Sequence, residues 1–374
     1  MDTIAGPRAG LTALANPTLR IALVAPPQEA VPPAGYGGTE RVIFELAREL
    51  TSRGHEVTLF ASGDSKVPCE LIPTVPRALR PANQMESEQA YMISTVLDVV
   101  KQADRFDIVH SHLEWFSTMF TPLTTVPVAM TFHGRLDYPF AEHLLEYVPR
   151  GLVAISAAQK APHDDLPGWA GVVHNGLNLT RSPFSEKRSD DLCFVGRISP
   201  EKGAAEAIEV ARRAGRKLRI AAKKGVTPRD VEYYERVFQP AMKEADVEFL
   251  GELPGAERDE LFAESYATIM PGSWPEPFGL VAIESLACGT PVVARHVGAL
   301  PEIIRDGVDG FFGDDPAAMA FQLGRVEELD RRAVRESVLS RFSAKRMADG
   351  YERIYTGLLN GRVAGPETAE FEAM

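Results

Sequence analysis

The chain has 374 residues, 45% hydrophobic and 25% charged, more than one core ordinarily fills, so two folded domains of ordinary composition are expected. A net charge of -12 lacks the basic footprint that neutralising phosphates demands and argues against nucleic acid as a partner. Three well-separated cysteines, Cys69, Cys193 and Cys288, with no Cys-x-x-Cys pair, exclude a disulfide scaffold and a zinc ribbon and favour the cytoplasm.

From Leu19 the chain alternates short β-rich runs with helical patterns, the mark of parallel sheets covered on both faces, so an α/β fold is predicted. First-half strands are expected at Arg20-Ala25, Glu56-Ala61, Asp107-His110, Val128-Phe132, Gly151-Ile155 and Gly171-His174. The first long helix has Thr39 as its expected N-cap, an apolar stripe of Val42, Ile43, Leu46, Ala47 and Leu50, and a stop at Gly54. Arg181 to Asp191 is charged, contains Pro183 and has no apolar period, which places the linker there and the domain boundary near 182. Second-half strands are expected at Leu192-Gly196, Leu218-Ala222, Val247-Leu250, Ala267-Met270 and Pro291-Ala294. The last helix is expected over Ala344 to Leu359, followed by a loose polar tail after Gly361. The N-terminal stretch carries no apolar run of signal-peptide length, and no later run approaches the roughly 20 apolar residues of a spanning helix. Membrane contact is therefore expected to be peripheral at most.

In open parallel sheets ligands bind beyond the carboxyl ends of strands, so the residues after each strand carry the functional reading. After the first strand, Ala34-Gly35-Tyr36-Gly37-Gly38-Thr39 runs straight into a helix and offers bare amides to an anion, although a flexible loop would use glycine equally. His110, His112 and His133 stand where later strands end, His133 with a ligand-facing role. A metal site would need a further carboxylate or histidine at ligand spacing, so no metal is expected. In Gly196-Arg197 through Lys202-Gly203, two cations five residues apart flank a turn and can clamp a diphosphate; a solvated strand end is the plain alternative.

The most specific segment is Trp274-Pro275-Glu276-Pro277-Phe278-Gly279 followed by Glu284. Trp274 and Glu276 each precede a proline and are pushed to extended geometry, which fixes Glu276 on the strand-to-helix turn. Glu284 lies within the next helix among Ala282, Ile283, Leu286 and Ala287. A half-buried acid there needs hydrogen-bond donors, which two ribose hydroxyls would supply and a structural salt bridge would equally satisfy.

Together these segments resemble the retaining glycosyltransferases of the GT-B fold, glycosyltransferase family four, over nearly the whole chain. The resemblance rests on Tyr36-Gly37-Gly38-Thr39-Glu40, Phe132-His133-Gly134, Gly196-Arg197 with Lys202-Gly203, and Glu276 with Glu284. It continues through Ala287-Cys288-Gly289-Thr290-Pro291-Val292-Val293 and Gly298-Ala299-Leu300-Pro301-Glu302. It implies two Rossmann-like doubly wound domains around a cleft. Residues 1–182 would take the acceptor, residues 183–344 would take a nucleotide-sugar donor, and a last helix at about 345–360 would pack back on the first domain.

By the same resemblance, Glu284 holds the donor ribose, Arg197 and Lys202 hold the diphosphate, and Gly37 and Gly38 close over it from the other domain. Glu276 with the amides of Phe278, Gly279 and Leu280 holds the sugar, and His133 contacts it near the reacting carbon. Gly196, Leu253 and Lys223 complete the nucleotide side, with the nucleobase read by backbone around Leu250 to Leu253. Tyr36 and His112 are expected to face the acceptor, whose pocket is expected in the first domain's loops, including Leu71 to Met92 and Arg135 to Tyr147. The chain departs from the family at Ala221-Ala222-Lys223-Lys224-Gly225, where a glycine-rich turn is common, at Asn178 in place of an aspartate, and at Ala299 in place of a glycine.

The implied reaction moves a hexose from a nucleotide diphosphate sugar, UDP by default, to a hydroxyl acceptor with retention, without metal or cofactor. The leaving phosphate itself would accept the acceptor's proton. The acceptor could be a small molecule, a glycan or a lipid-linked sugar. A sugar-nucleotide epimerase or phosphorylase of the same fold, or a non-catalytic sugar-nucleotide binder, would share the cleft. A NAD-dependent oxidoreductase is disfavoured because no G-x-G-x-x-G follows the first strand. Arg212, Arg213, Arg216, Lys217, Arg219, Lys223 and Lys224 form a cationic run that suits either anionic lipid or a solvated helix face.

Overall fold

The computed structural model describes residues 18–35 and 37–361. The N-terminal stretch to residue 17, Tyr36 and the tail after Gly361 lie outside the described residues, and with them the acceptor role expected of Tyr36. The first sheet contains β1 (Arg20–Val24), β2 (Glu56–Ser62), β3 (Glu70–Val75), β4 (Ile108–Ser111), β5 (Val128–Thr131), β6 (Leu152–Ala154) and β7 (Trp169–Val172). Their spatial order is β3-β2-β1-β4-β5-β6-β7, with every pairing parallel. The second contains β8 (Leu192–Ile198), β9 (Leu218–Lys224), β10 (Val247–Gly251), β11 (Ala267–Met270), β12 (Val292–Ala294) and β13 (Gly310–Phe312), in the order β10-β9-β8-β11-β12-β13, again parallel. In each sheet the strand order reverses beside the first strand, which opens a crevice at the carboxyl ends of β1 and β4 and of β8 and β11. These two crevices build the functional site.

Central strands are buried on both faces, hence the unbroken apolar runs that announced them: Ile21, Ala22, Leu23 and Val24 have no exposed surface. The two strands absent from the sequence reading, β3 and β13, each lie at a sheet edge with a single neighbour, as do β7 and β10. β3 carries Pro73, which has no N–H to give a ladder and is tolerated only at an edge, and β13 has three residues. β3 also takes Leu71 to Val75 out of the loop assigned to the acceptor. β7 begins at Trp169, two residues before the expected Gly171.

The first long helix runs Gly38–Ser52 and its N-cap is Gly37. Thr39 therefore sits inside the first turn rather than capping it, because the bare glycine backbone makes the turn from strand loop to helix. Its expected apolar stripe is buried without exception, which a helix laid on a sheet requires.

Between β7 and β8 the only regular element is the short turn Leu179–Arg181. Beside it the chain crosses again: Leu177 donates its N–H to the Phe342 carbonyl at 3.0 Å, and the Leu177 carbonyl accepts from Ala344 N–H at 3.0 Å. The last helix, Ala344–Leu359, lies against the first sheet. Tyr351 Oη meets Thr131 Oγ1 at 3.1 Å, Tyr355 Oη meets His110 Nδ1 at 2.8 Å, and Arg53 reaches Asp349 and Glu352, both at 2.7 Å. The cationic run is not a bare face. Arg212 and Arg213 pair with Glu209, Arg216 with Asp190, Lys217 and Arg219 with Glu248, and Lys223 with Glu252.

Candidate active site

The wall contributed by the second sheet is built from ion pairs. Arg197, the last residue but one of β8, reaches Glu201 at 2.6 Å, one turn later. Lys202 pairs with Glu276 across the loop from β11. That approach needs close backbones: a Cβ on Gly272 would lie 2.6 Å from the Glu201 carbonyl. Glu276 is fixed from its other side by the turn at Gly298, whose φ of +58° favours glycine and whose added Cβ would lie 2.4 Å from Glu276 N. Ala299 N–H then donates to the Glu276 carbonyl at 2.8 Å. The segment from Gly298 to Pro301 thus acts as the backing of the Glu276 loop.

Glu284 is 5% exposed within the helix Leu280–Ala287, which starts at Gly279 with φ 106°. Its Oε1 faces two guanidinium groups, Arg258 at 2.8 Å and Arg41 from the first long helix. The donors expected to come from a ribose are therefore supplied by the protein, and the salt-bridge alternative describes this state. The two guanidinium groups balance the charge of the buried Glu284 carboxylate.

The part of the first-sheet wall built from strand-end histidines is polar but uncharged. His110 and His112 follow one another outward along β4 and its exit, both with no exposed surface, their rings 4.1 Å apart. His112 Nδ1 meets His133 Nε2 at 2.9 Å. Burial pushes His110 down to about 3 and His133 to about 4, and His112 well below the ordinary histidine value, so all three are neutral at physiological pH. His112 lies beneath His133 with its side chain enclosed, which corrects the expectation that it touches an acceptor: a strand-end position does not ensure a cleft-facing side chain.

Glu114 was not singled out from sequence. It holds the turn that presents His133, accepting the N–H groups of His133 at 2.9 Å and Gly134 at 3.3 Å. It adopts φ 49°, a left-handed conformation uncommon outside glycine, of the kind that persists where surrounding structure enforces it. Burial raises its carboxyl to about 7. Glu40, in the first turn of the first long helix, is also buried and raised to about 7 for the same reason. Its carboxyl curls over Gly37, within 2.8 Å of where a Cβ would be, at the helix start assigned to a phosphate.

Between the two walls lies a cavity of about 900 Å³. From the first domain Gly37, Gly38 and His133 line it, and from the second Gly196, Arg197, Lys202, Lys223, Leu253, Glu276, Phe278, Gly279, Leu280 and Glu284. Every sequence-selected residue except His112 and the undescribed Tyr36 is thus brought to one surface. Arg41, Arg258 and Glu201 join them; each was hidden because an arginine or glutamate on a helix reads as a solvated side chain until its partner is known. Gly38 comes so close to Leu280 that a Cβ would lie 3.0 Å from Leu280 Cδ1, so the two domains touch across the cleft. Ser156 Oγ also donates to the Pro277 carbonyl at 2.7 Å, and Glu302 accepts the N–H groups of Ala157 and Ala158 at 3.0 and 2.8 Å.

A two-sheet cleft of this form matches known proteins. Residues 36–181 match the family model of Glycosyltransferase Family 4, and residues 178–333 match that of Glycosyl transferases group 1. The chain belongs to glycosyltransferase family four. It is 28% identical to the D-inositol 3-phosphate glycosyltransferase of Frankia alni, over 80% of this chain and 88% of that one. It is 27% identical to the alpha-maltose-1-phosphate synthase of Mycolicibacterium smegmatis, over 87% and 96%. Among solved structures, AviGT4, a glycosyltransferase involved in avilamycin A biosynthesis, superposes with a TM-score of 0.70 at 26% identity, covering 92% of this chain and 98% of that one. HepE of Anabaena, solved with UDP and glucose, shares the fold with a TM-score of 0.68 at 18% identity, over 90% and 99%.

This family member is therefore a GT-B glycosyltransferase. Among the described residues no helix is long and apolar enough to cross a membrane, and no group of three His, Cys, Asp or Glu side chains is placed to hold a metal ion.

Proposed function

We propose that the enzyme transfers a hexose from a nucleotide diphosphate sugar, UDP-linked by default, to a hydroxyl acceptor with retention of configuration and without a metal. The observation that carries this reading is the pairing of Arg197 and Lys202 on one wall with the helix start at Gly38 on the other. A diphosphate between them meets two cations and a helix N-terminus fixed in advance, which is where leaving-group charge develops. Glu276 and neutral His133 lie at the sugar end. The neutrality of His133 makes it a hydrogen-bonding group for a hydroxyl rather than a proton carrier. The Glu284 carboxylate lines the same cavity and offers two acceptor oxygens that suit the two hydroxyls of a ribose.

UDP is supported by HepE, whose structure was solved with UDP and glucose, while Starch Synthase IV of Arabidopsis thaliana, bound to ADP and acarbose, keeps ADP as the competitor to test. The unpaired cysteines support a cytoplasmic setting. A nucleotide-release screen with UDP-, GDP- and ADP-glucose, in the presence and absence of a chelator, tests the proposal. The expected result is release from one of them that chelation leaves unchanged. Conversion of donor to a new sugar nucleotide without release, or release abolished by chelation, would overturn it.

A further inference from the structure

We infer that His112 is a positioning residue that fixes the ring tautomer of His133, so that His133 presents its Nδ1–H, as a donor, to the cleft. His112 Nδ1 and His133 Nε2 are 2.9 Å apart, and a hydrogen bond between two neutral imidazoles has one proton to share. Which ring supplies it follows from the rest of the pair. His112 Nε2 is buried and no described protein group bonds it. A proton on that nitrogen would be an orphaned buried N–H, which folded proteins avoid more strictly than an orphaned acceptor. His112 therefore carries its proton on Nδ1 and donates to His133. His133 Nε2 is then the acceptor, and its proton stands on Nδ1.

Burial keeps both rings neutral, which removes the doubly protonated form that would make the choice irrelevant. The rest of His133 is equally constrained. Its backbone N–H is tied to Glu114 at 2.9 Å, its ring stacks at 5.2 Å on His112, and its side chain lines the cavity. His112 is itself packed on His110, whose two nitrogens are committed to Tyr355 and Thr131, each at 2.8 Å. His110 therefore has no nitrogen left to take the His112 proton. The arrangement is the usual one for a histidine whose working nitrogen is selected by the bond the other nitrogen makes.

The tautomer itself is independent of the donor-site reading; only its consequence for turnover rests on that reading, and the experiment separates the two. In the ligand-free full chain labelled with 15N, long-range proton–nitrogen spectra should show His133 protonated at Nδ1 and unprotonated at Nε2. The opposite pattern overturns the inference whatever the enzyme's substrate proves to be. Two variants then test the consequence by release of nucleotide from whichever of UDP-, GDP- or ADP-glucose the wild type hydrolyses. His112→Phe keeps a ring against His110 but offers no proton, and turnover should fall on the order of tenfold, less than the hundredfold or more lost when a preorganised donor is removed outright. His112→Asn leaves the worse-filled core but retains an N–H near the Nδ1 position, and should stay within about threefold of wild type on the same scale. A purely structural role predicts the reverse order, so Phe as active as Asn, or more active, overturns the inference. Should His112→Phe fail to fold, the wild-type spectrum remains decisive.

Discussion

The two walls of the cleft solve opposite problems with opposite chemistry. The second-domain wall keeps its charges, Arg197, Lys202, Arg258, Glu276 and Glu284, and balances each with a partner. The first-domain wall keeps charge only in ion pairs, Arg41 with Glu284 and Arg80 with Glu29, and elsewhere presents neutral His110, His112 and His133 with Glu40 and Glu114 raised to about 7. A charged wall stays partly hydrated and pairs its ions, whereas an enclosed wall can keep only neutral forms or groups with well-placed donors. The difference teaches that one cleft can hold paired ions on one side and neutral hydrogen-bonding groups on the other.

The largest expected effect breaks the charged wall at the proposed leaving group. Arg197→Ala and Lys202→Ala should each lower turnover by about a hundredfold or more with little change in fold. Steady-state kinetics with near-normal kcat in both would remove the diphosphate clamp from the account. Next in size is Glu284→Ala, which deletes the proposed ribose acceptor and leaves Arg41 and Arg258 facing one another. Nucleotide affinity measured by calorimetry should weaken by roughly tenfold to a hundredfold, the cost of about 1–3 kcal/mol for a lost charged hydrogen-bonding partner. Unchanged affinity would show the carboxylate to be a structural ion-pair centre only.

The smallest effect sharpens the neutral wall. The folded-state value of Glu40, about 7, lies above its ordinary 4.5. Its contribution to stability is therefore fully present below about 4.5 and is lost as pH rises through 7. Glu40→Gln has no such loss. It should be more stable than wild type at pH 8, on the order of 1–3 kcal/mol, with the advantage fading as pH falls from 7 toward 4.5. Denaturant midpoints that differ equally at pH 5 and pH 8 would contradict the assignment.

Much of the molecule was legible from residue patterns because central parallel strands and helix stripes leave local signatures. The unbroken run Ile21 to Val24 and the spacing of Val42, Ile43, Leu46, Ala47 and Leu50 are set by burial within one element. The Glu276 loop is read the same way, since two prolines restrict their own neighbours. Two of the four edge strands left too faint a trace: β13 has only three residues, and β3 admits Pro73.

What the sequence by itself determined is the two α/β halves and most of the residues it singled out for the cavity, because those follow from periodicity, prolines and glycines acting within a few residues. Only the tertiary structure decided what each polar side chain meets. His112 went under His133 rather than into the cleft, Glu284 drew Arg41 from the opposite domain, and Glu114 came to hold the His133 turn. These are contacts between residues about twenty to more than two hundred positions apart. A hydrogen bond or ion pair depends on distances of a few ångströms that no local pattern encodes, so burial and partner, and with them the protonation state, are properties of the assembled cleft.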